Sequence, residues 1–173
     1  DMVLGCYYLT LEKEGVPGEG KVFADPAEAM AAYDNGLISL HARIALPVKS
    51  LGKTTFTEQQ QRALMVTTVG KLIFNEIFPA EMPYINTPTK ENLTKGVPEV
   101  YFIYEKGTDV REYVKQLPDV EAVKKGFLGT IIGECFRRFG TTRTAIILDR
   151  IKELGFRYST KAGLTIAVSD IIV

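Results

Sequence analysis

The chain has 173 residues, with 21 Lys+Arg against 21 Asp+Glu, 46% hydrophobic residues and 24% charged ones. It is long enough to bury one sizeable core and too apolar for a largely disordered segment. Zero net charge excludes a chain-wide electrostatic grip on nucleic acid. A single histidine and two distant cysteines, Cys6 and Cys135, exclude a disulfide framework and a Cys/His zinc site. This pattern fits a reducing cytoplasm. No uncharged apolar run reaches the roughly 20 residues of a membrane-spanning helix, and no signal-peptide pattern is visible.

Residues 1–11 are almost continuously apolar and read as a short buried helix. Residues 12–20, EKEGVPGEG, form a polar loop, and 21–23 a short strand. Asp25 and Pro26 open a helix: the first caps it and the second sits where no N–H donor is needed. Asn35-Gly36 stop it. Residues 37–48 alternate as a strand, with Ile38, Leu40, Ala42, Ile44 and Leu46 on one face and His41, Arg43 and Ala45 on the other. A polar turn and short strand follow over 50–57, one or two helical turns over 58–64, and a β-branched strand over 66–69. LIFNEIF is a short helix ended by Pro79. From 80 to 107, prolines and polar residues predict a surface excursion with one short strand over 100–104. Asp109 caps a helix through Leu117.

The last third is the most regular. Phe127, Leu128, Ile131, Ile132, Cys135, Phe136 and Phe139 share one helical face, ended by Gly140. A second helix starts at Thr141 or Thr142, carries Ile147, Ile151 and Leu154, and stops at Gly155. GFRYSTKAG then reads as a loop, and residues 164–173 as a β-rich strand. The predicted class is α+β: mixed short strands and helices, with a C-terminal helical hairpin followed by a strand. Three parts are expected: a mixed α/β part (1–79), a surface excursion (80–126) and the hairpin plus strand (127–173). The apolar ends, Met2-Val3-Leu4 and Ile171-Ile172-Val173, read as surface that a longer polypeptide would cover.

Chemistry is sparse. His41 beside Arg43 on a strand face reads as a surface or interface residue, with no partner for catalysis. No GxSxG elbow occurs, and no GK[ST] follows Gly15, Gly18 and Gly20. Asp149 and Glu153 lie one turn apart, but Arg150 and Lys152 flank them, so a solvated charged face is the better reading. Arg137, Arg138, Arg143, Arg150, Lys152, Arg157 and Lys161 crowd the last third. Ordinary polar helix faces explain them, and a free-standing nucleic-acid-binding adaptor built on the Arg-rich hairpin is the alternative.

DMVLGCYYLTLEKEG, GEGKVF, LISLHARI, TTVGKLIFNEIFP, MPYINTP, KKGFLGTIIGECFRRFG, LDRIKELGF and YSTKAGLTIAVSDIIV occur in that order. Together they resemble the β′ (largest) subunit family of bacterial DNA-directed RNA polymerases, over the whole chain and in the wording of Firmicutes. The matching stretch follows the catalytic loop and precedes the rim helices. The resemblance implies a pore region that helps wall the secondary channel, where nucleoside triphosphates enter and a backtracked RNA 3′ end leaves. Its implied partners are the rest of β′, the β, α and ω subunits, transcript cleavage factors, and sigma factor, DNA and RNA through the whole enzyme. No membrane is implied, and the setting is cytoplasmic and nucleoid-associated.

The family's Mg²⁺-binding motif NADFDGDQ, its zinc-binding cysteines, its bridge helix and its trigger loop are absent from this chain. Mg²⁺ and Zn²⁺ are therefore implied for the full subunit, outside this segment. No catalytic residue and no metal ligand carries over, and an isolated segment is expected to be inactive. Channel-facing candidates are Ser159, Thr160, Lys161 and Asp170. Lys161 would attract incoming triphosphate, and Asp170 would touch a cleavage factor or a hydrated ion. Lys71 stands in TTVGK where many relatives have Arg, exchanging a bidentate cation for a point charge.

Overall fold

The computed structural model describes the backbone of residues 2–172 and the side chains of residues 2–164. Helix α1, Met2–Thr10, places Gly5, Cys6, Leu9 and Thr10 inward. Helix α2, Pro26–Asp34, begins where the Asp25 carboxylate accepts the Glu28 N–H at 2.8 Å. Strand β1, Ile44–Pro47, pairs antiparallel with β2, Leu64–Thr67. Between them lies α3, Glu58–Gln61, closed by a reciprocal Thr57/Gln60 capping box. Strand β3, Phe102–Ile103, adds to β2 antiparallel, giving the order β1-β2-β3. Helices α4, Val69–Asn75, α5, Lys90–Lys95, and α6, Val110–Gln116, each start at a Thr or Asp side-chain cap.

Helix α7, Lys125–Ile172, is broken once, at Gly140 (φ 78°, ψ −175°), a left-handed conformation that glycine adopts without a Cβ clash. The two halves dock on different parts of the body. Before the break, Cys135 Sγ meets Met82 Sδ at 3.7 Å and Arg138 reaches the Leu93 carbonyl. After it, the helix runs past Glu81 and Ile77 and packs along α1. Leu9, Ile44, Leu46, Met65, Phe74, Met82, Leu93, Ile131 and Ile151 are fully buried, and with Ala29, Phe102 and Val114 they join every one of these elements except α3 into one core.

The α+β class is as the sequence predicts, but the expected strands at 21–23 and 100–104 shrink to an isolated bridge at Val22 and a two-residue strand, and four larger differences stand out. Within residues 37–48 only Ile44–Pro47 is strand. Leu37 is 62% exposed, and the backbone of 39–43 bonds elsewhere: Leu40 O accepts from Gly70 N, His41 O from Lys13 N and Arg43 O from Gly20 N. Those partners replace a strand ladder. Residues 50–57 form no strand; a 3₁₀ turn, Val48–Leu51, occupies their start.

Residues 82–87, expected at the surface, are buried in a row. An irregular segment survives there because side chains satisfy its backbone. Asn75 accepts from Ile85 N (2.7 Å) and donates to Ile85 O (2.9 Å). Asn92 accepts from Asn86 N and Thr87 N and donates to Tyr84 O (2.7 Å). The fourth difference is the C-terminal segment. The expected loop at 155–163 and the expected strand from 164 are helix through Ile172. Gly155 is not a stop. A Cβ on Gly5 would lie 1.6 Å from Gly155 O, and one on Gly155 would lie 2.6 Å from Met2 O. Both glycines are there so that α1 and α7 can cross backbone to backbone.

Candidate functional site

The polar loop after α1 delivers Glu12 into the interior, where it meets two cations. Arg43 Nε donates to Glu12 Oε1 at 2.8 Å, and Lys71 Nζ donates to Glu12 Oε2. The three side chains are only 6%, 4% and 3% exposed, respectively. One carboxylate between two cations leaves a buried positive charge. Backbone carbonyls answer it. Lys71 Nζ also donates to Asn86 O at 2.7 Å. Arg43 donates to Val114 O at 2.8 Å, Pro118 O at 2.7 Å and Leu117 O at 3.4 Å. Those carbonyls belong to the last turn of α6 and the residues just past it, the negative end of the helix dipole. Burial pulls the Lys71 ammonium below its ordinary pKa, and the Glu12 carboxylate opposes that shift.

His41 and Arg43 are thus buried, not at a surface as the alternation predicts. His41 is 3% exposed and edge-on to the Tyr8 ring, with centroids 4.8 Å apart. Its Nε2 lies 2.8 Å from Tyr8 O. A carbonyl only accepts, so Nε2 carries the proton. Burial lowers the imidazole pKa, and Lys13 adds to the effect against the Tyr8 hydrogen bond. The neighbouring Ser39 hydroxyl is engaged by the His41 backbone N–H at 3.1 Å, and among the described residues no hydroxyl or thiol is hydrogen-bonded to the imidazole, so the arrangement reads as structural. Cys6 and Cys135 are buried thiols pushed up to about 11 by desolvation, the opposite of an activated nucleophile.

The basic residues of the last third are largely engaged within the fold. Arg137 and Arg138 both pair with Glu134. Arg143 lies 3.4 Å from Glu81 and packs over the Phe139 ring at 4.4 Å. Arg150 donates to Ile77 O (3.1 Å) and Glu76 O (3.2 Å), the carbonyls just past α4. Arg157 packs on the Tyr158 ring at 5.6 Å. Lys161 Nζ donates to Tyr33 Oη at 2.7 Å and lies 5.1 Å from the Tyr33 ring and 5.5 Å from that of Tyr158. The arginines at 137, 138, 143 and 150 are thus tied to acids or carbonyls of the fold, whereas Arg157 and Lys161 are exposed beside aromatic rings.

The predicted channel residues fall on a helix rather than a loop. Ser159 is buried and donates to Phe156 O at 3.1 Å. Thr160 is exposed and bonds the same carbonyl at 3.1 Å. Lys161 is exposed beside its tyrosines. The Asp170 side chain lies outside the described residues. Two residues that sequence reasoning missed, Glu12 and Tyr33, give the two clusters their form. Each sits in an unremarkable local pattern, and only the fold shows its partners. Among the described residues no three His, Cys, Asp or Glu side chains converge to hold a metal ion, and no helix is long and apolar enough to cross a membrane.

A family model described as RNA polymerase Rpb1, domain 3, matches residues 1–171, and the chain belongs to that family. It is also similar to curated proteins from Firmicutes over all 173 of its residues. It is 56% identical to the DNA-directed RNA polymerase subunit beta′ of Halalkalibacterium halodurans. Identity is 54% to the same subunit of Exiguobacterium sibiricum and of Bacillus subtilis. The chain covers 14% of the length of each of these relatives.

Proposed function

We propose that this chain works as a structural segment of the β′ subunit of a DNA-directed RNA polymerase, walling part of the secondary channel and supplying no catalytic side chain. The observation that carries the reading is the family match over residues 1–171. The geometry agrees with a scaffold. The interior charges at Glu12, Arg43 and Lys71 answer each other and nearby carbonyls, and the arginines of α7 tie it to the rest of the fold. The Mg²⁺ and Zn²⁺ of a full subunit belong outside this segment, as do its contacts with β, α, ω, sigma factor, DNA and RNA. The setting of such an enzyme is the cytoplasm.

Within that scaffold, Thr160 and Lys161 are the candidates for the channel wall, with Lys161 attracting triphosphate. Two experiments test the reading. An antibody to this chain, used on a native lysate, should recover a far larger polypeptide together with α, β and ω subunits by mass spectrometry. A lone band near 19.2 kDa would refute the assignment. In the assembled polymerase, Lys161→Glu should raise the apparent KM for nucleoside triphosphates most strongly at low salt. An unchanged KM at low salt would remove the steering role.

A further inference from the structure

Around Lys161 the structure gathers more than one lysine. Tyr33, half-buried at the end of α2, accepts a hydrogen bond from the Lys161 ammonium at 2.7 Å. An ammonium has donors and no acceptor, so the Tyr33 O–H cannot be returned to Lys161. No hydrogen bond donated by that hydroxyl to the described residues is found, and the neighbouring positive charge polarises it as a donor. Arg157 stands one helical turn before Lys161, and both cations pack on the same Tyr158 ring, at 5.6 and 5.5 Å. Like charges at this spacing repel on a helix. A bound anion would relieve that repulsion. The Asp34 carboxylate acts on the same neighbourhood and offsets part of the positive charge. The hydrogen bond to Tyr33 raises the Lys161 pKa, so its charge persists well above neutral pH.

We propose that Tyr33, Arg157 and Lys161 form one site for a phosphoryl anion, in which the two cations supply charge and the Tyr33 hydroxyl supplies a directed donor. The inference rests on the channel reading only for the source of the phosphate, which is either the triphosphate of an entering nucleotide or the backbone of an extruded RNA end. Arginine offers a planar fork to phosphate oxygens and lysine a point charge. Tyr33→Phe removes the donor while keeping the ring against Lys161. Arg157→Gln removes one charge while keeping most of the stem.

The test uses assembled polymerase carrying Tyr33→Phe, Arg157→Gln or Lys161→Glu in the full-length subunit, with Lys152→Gln as a control. Lys152 is exposed and roughly half a helical revolution away from Lys161. Binding of inorganic tripolyphosphate, measured as the difference from the parent enzyme by equilibrium dialysis at low salt, should weaken about two- to fivefold in the first two variants. It should weaken about tenfold or more in the third and stay unchanged in the control. A matching rise in apparent KM with kcat unchanged assigns the phosphate to nucleotides. A faster escape from backtracked complexes with KM unchanged assigns it to RNA.

Weakened tripolyphosphate binding with neither functional effect keeps the site and refutes the channel reading. A raised KM in Lys161→Glu, with Tyr33→Phe and Arg157→Gln both like the parent in binding and kinetics, keeps the channel reading and overturns the three-residue site. Parental behaviour in all three variants overturns both.

Discussion

Replacing Glu12 with Gln tests the charge cluster most directly. The substitution preserves shape and one carbonyl acceptor but removes the negative charge that Arg43 and Lys71 share. All three side chains are shut away from water, so solvent cannot take over the role of the lost carboxylate. Breaking a buried pair by removing one partner typically costs about 3–5 kcal/mol, because the remaining charge stays buried and uncompensated. The carbonyls of Asn86, Val114 and Pro118 remain in place, which puts the expectation near 3 kcal/mol. For a chain of this size that corresponds to a Tm lowered by about 6–12 °C.

Urea unfolding followed by far-UV circular dichroism suits the measurement, since the chain has no tryptophan. The double variant Glu12→Gln/Lys71→Met removes one of the two orphaned cations and should recover part of the loss. A loss below about 1 kcal/mol for Glu12→Gln, or no recovery in the double variant, would refute the view that the carboxylate neutralises this interior.

Three further outcomes are expected. Gly5→Ala forces a Cβ into the Gly155 backbone and should cost about 3 kcal/mol, the upper end for overpacking. By contrast, Gly133→Ala, with open space around its Cβ, should stabilise the helix by about 0.5–1 kcal/mol, and the same denaturation assay compares the two. The folded-state pKa of His41 is lowered, so below its unfolded value of about 6.5 the unfolded chain binds a proton that the folded one does not. Stability should therefore fall as pH drops through that window, by up to about 1.4 kcal/mol per unit, and His41→Gln should show a shallower fall over the same pH series. Arg150→Ala, by releasing the carbonyls past α4, should cost about 1–2 kcal/mol and raise hydrogen exchange at the α4 end.

Local chemistry explains which parts of the fold were legible. Asp25-Pro26 and Asp109 are short-range signals, and each opens a helix where the sequence places one. The apolar spacing from Phe127 to Phe139 and the break at Gly140 are equally local. What failed depended on distant partners. The alternation at 38–46 was real in sequence, but the carbonyls of Leu40, His41 and Arg43 found donors on α4 and in the loop after α1. Gly155 looked like a helix stop because its reason for being glycine lies on α1, about 150 residues earlier in the chain. The Glu12–Arg43–Lys71 cluster spans separations of 31 and 59 residues. No periodicity reports such a pairing.

The same distances bear on how the segment serves a larger machine. The buried charges link the loop after α1, the approach to β1 and helix α4, all in the expected mixed part (1–79), to Asn86 and the end of α6 in the expected excursion (80–126). Because the excess positive charge in the core is answered by carbonyls of Asn86, Val114 and Pro118, the stretch from 80 to 118 cannot detach without stranding two cations in the interior. That stretch therefore behaves as part of the body rather than as an appended surface piece. Helix α7 is fixed by a different device: glycine-to-glycine contact with α1, with Arg150 and Lys161 as flanking ties to α4 and α2. Attachment at three separate elements holds Tyr33 against Lys161 and keeps Arg157 and Lys161 on the Tyr158 ring, the contacts on which the proposed anion site depends.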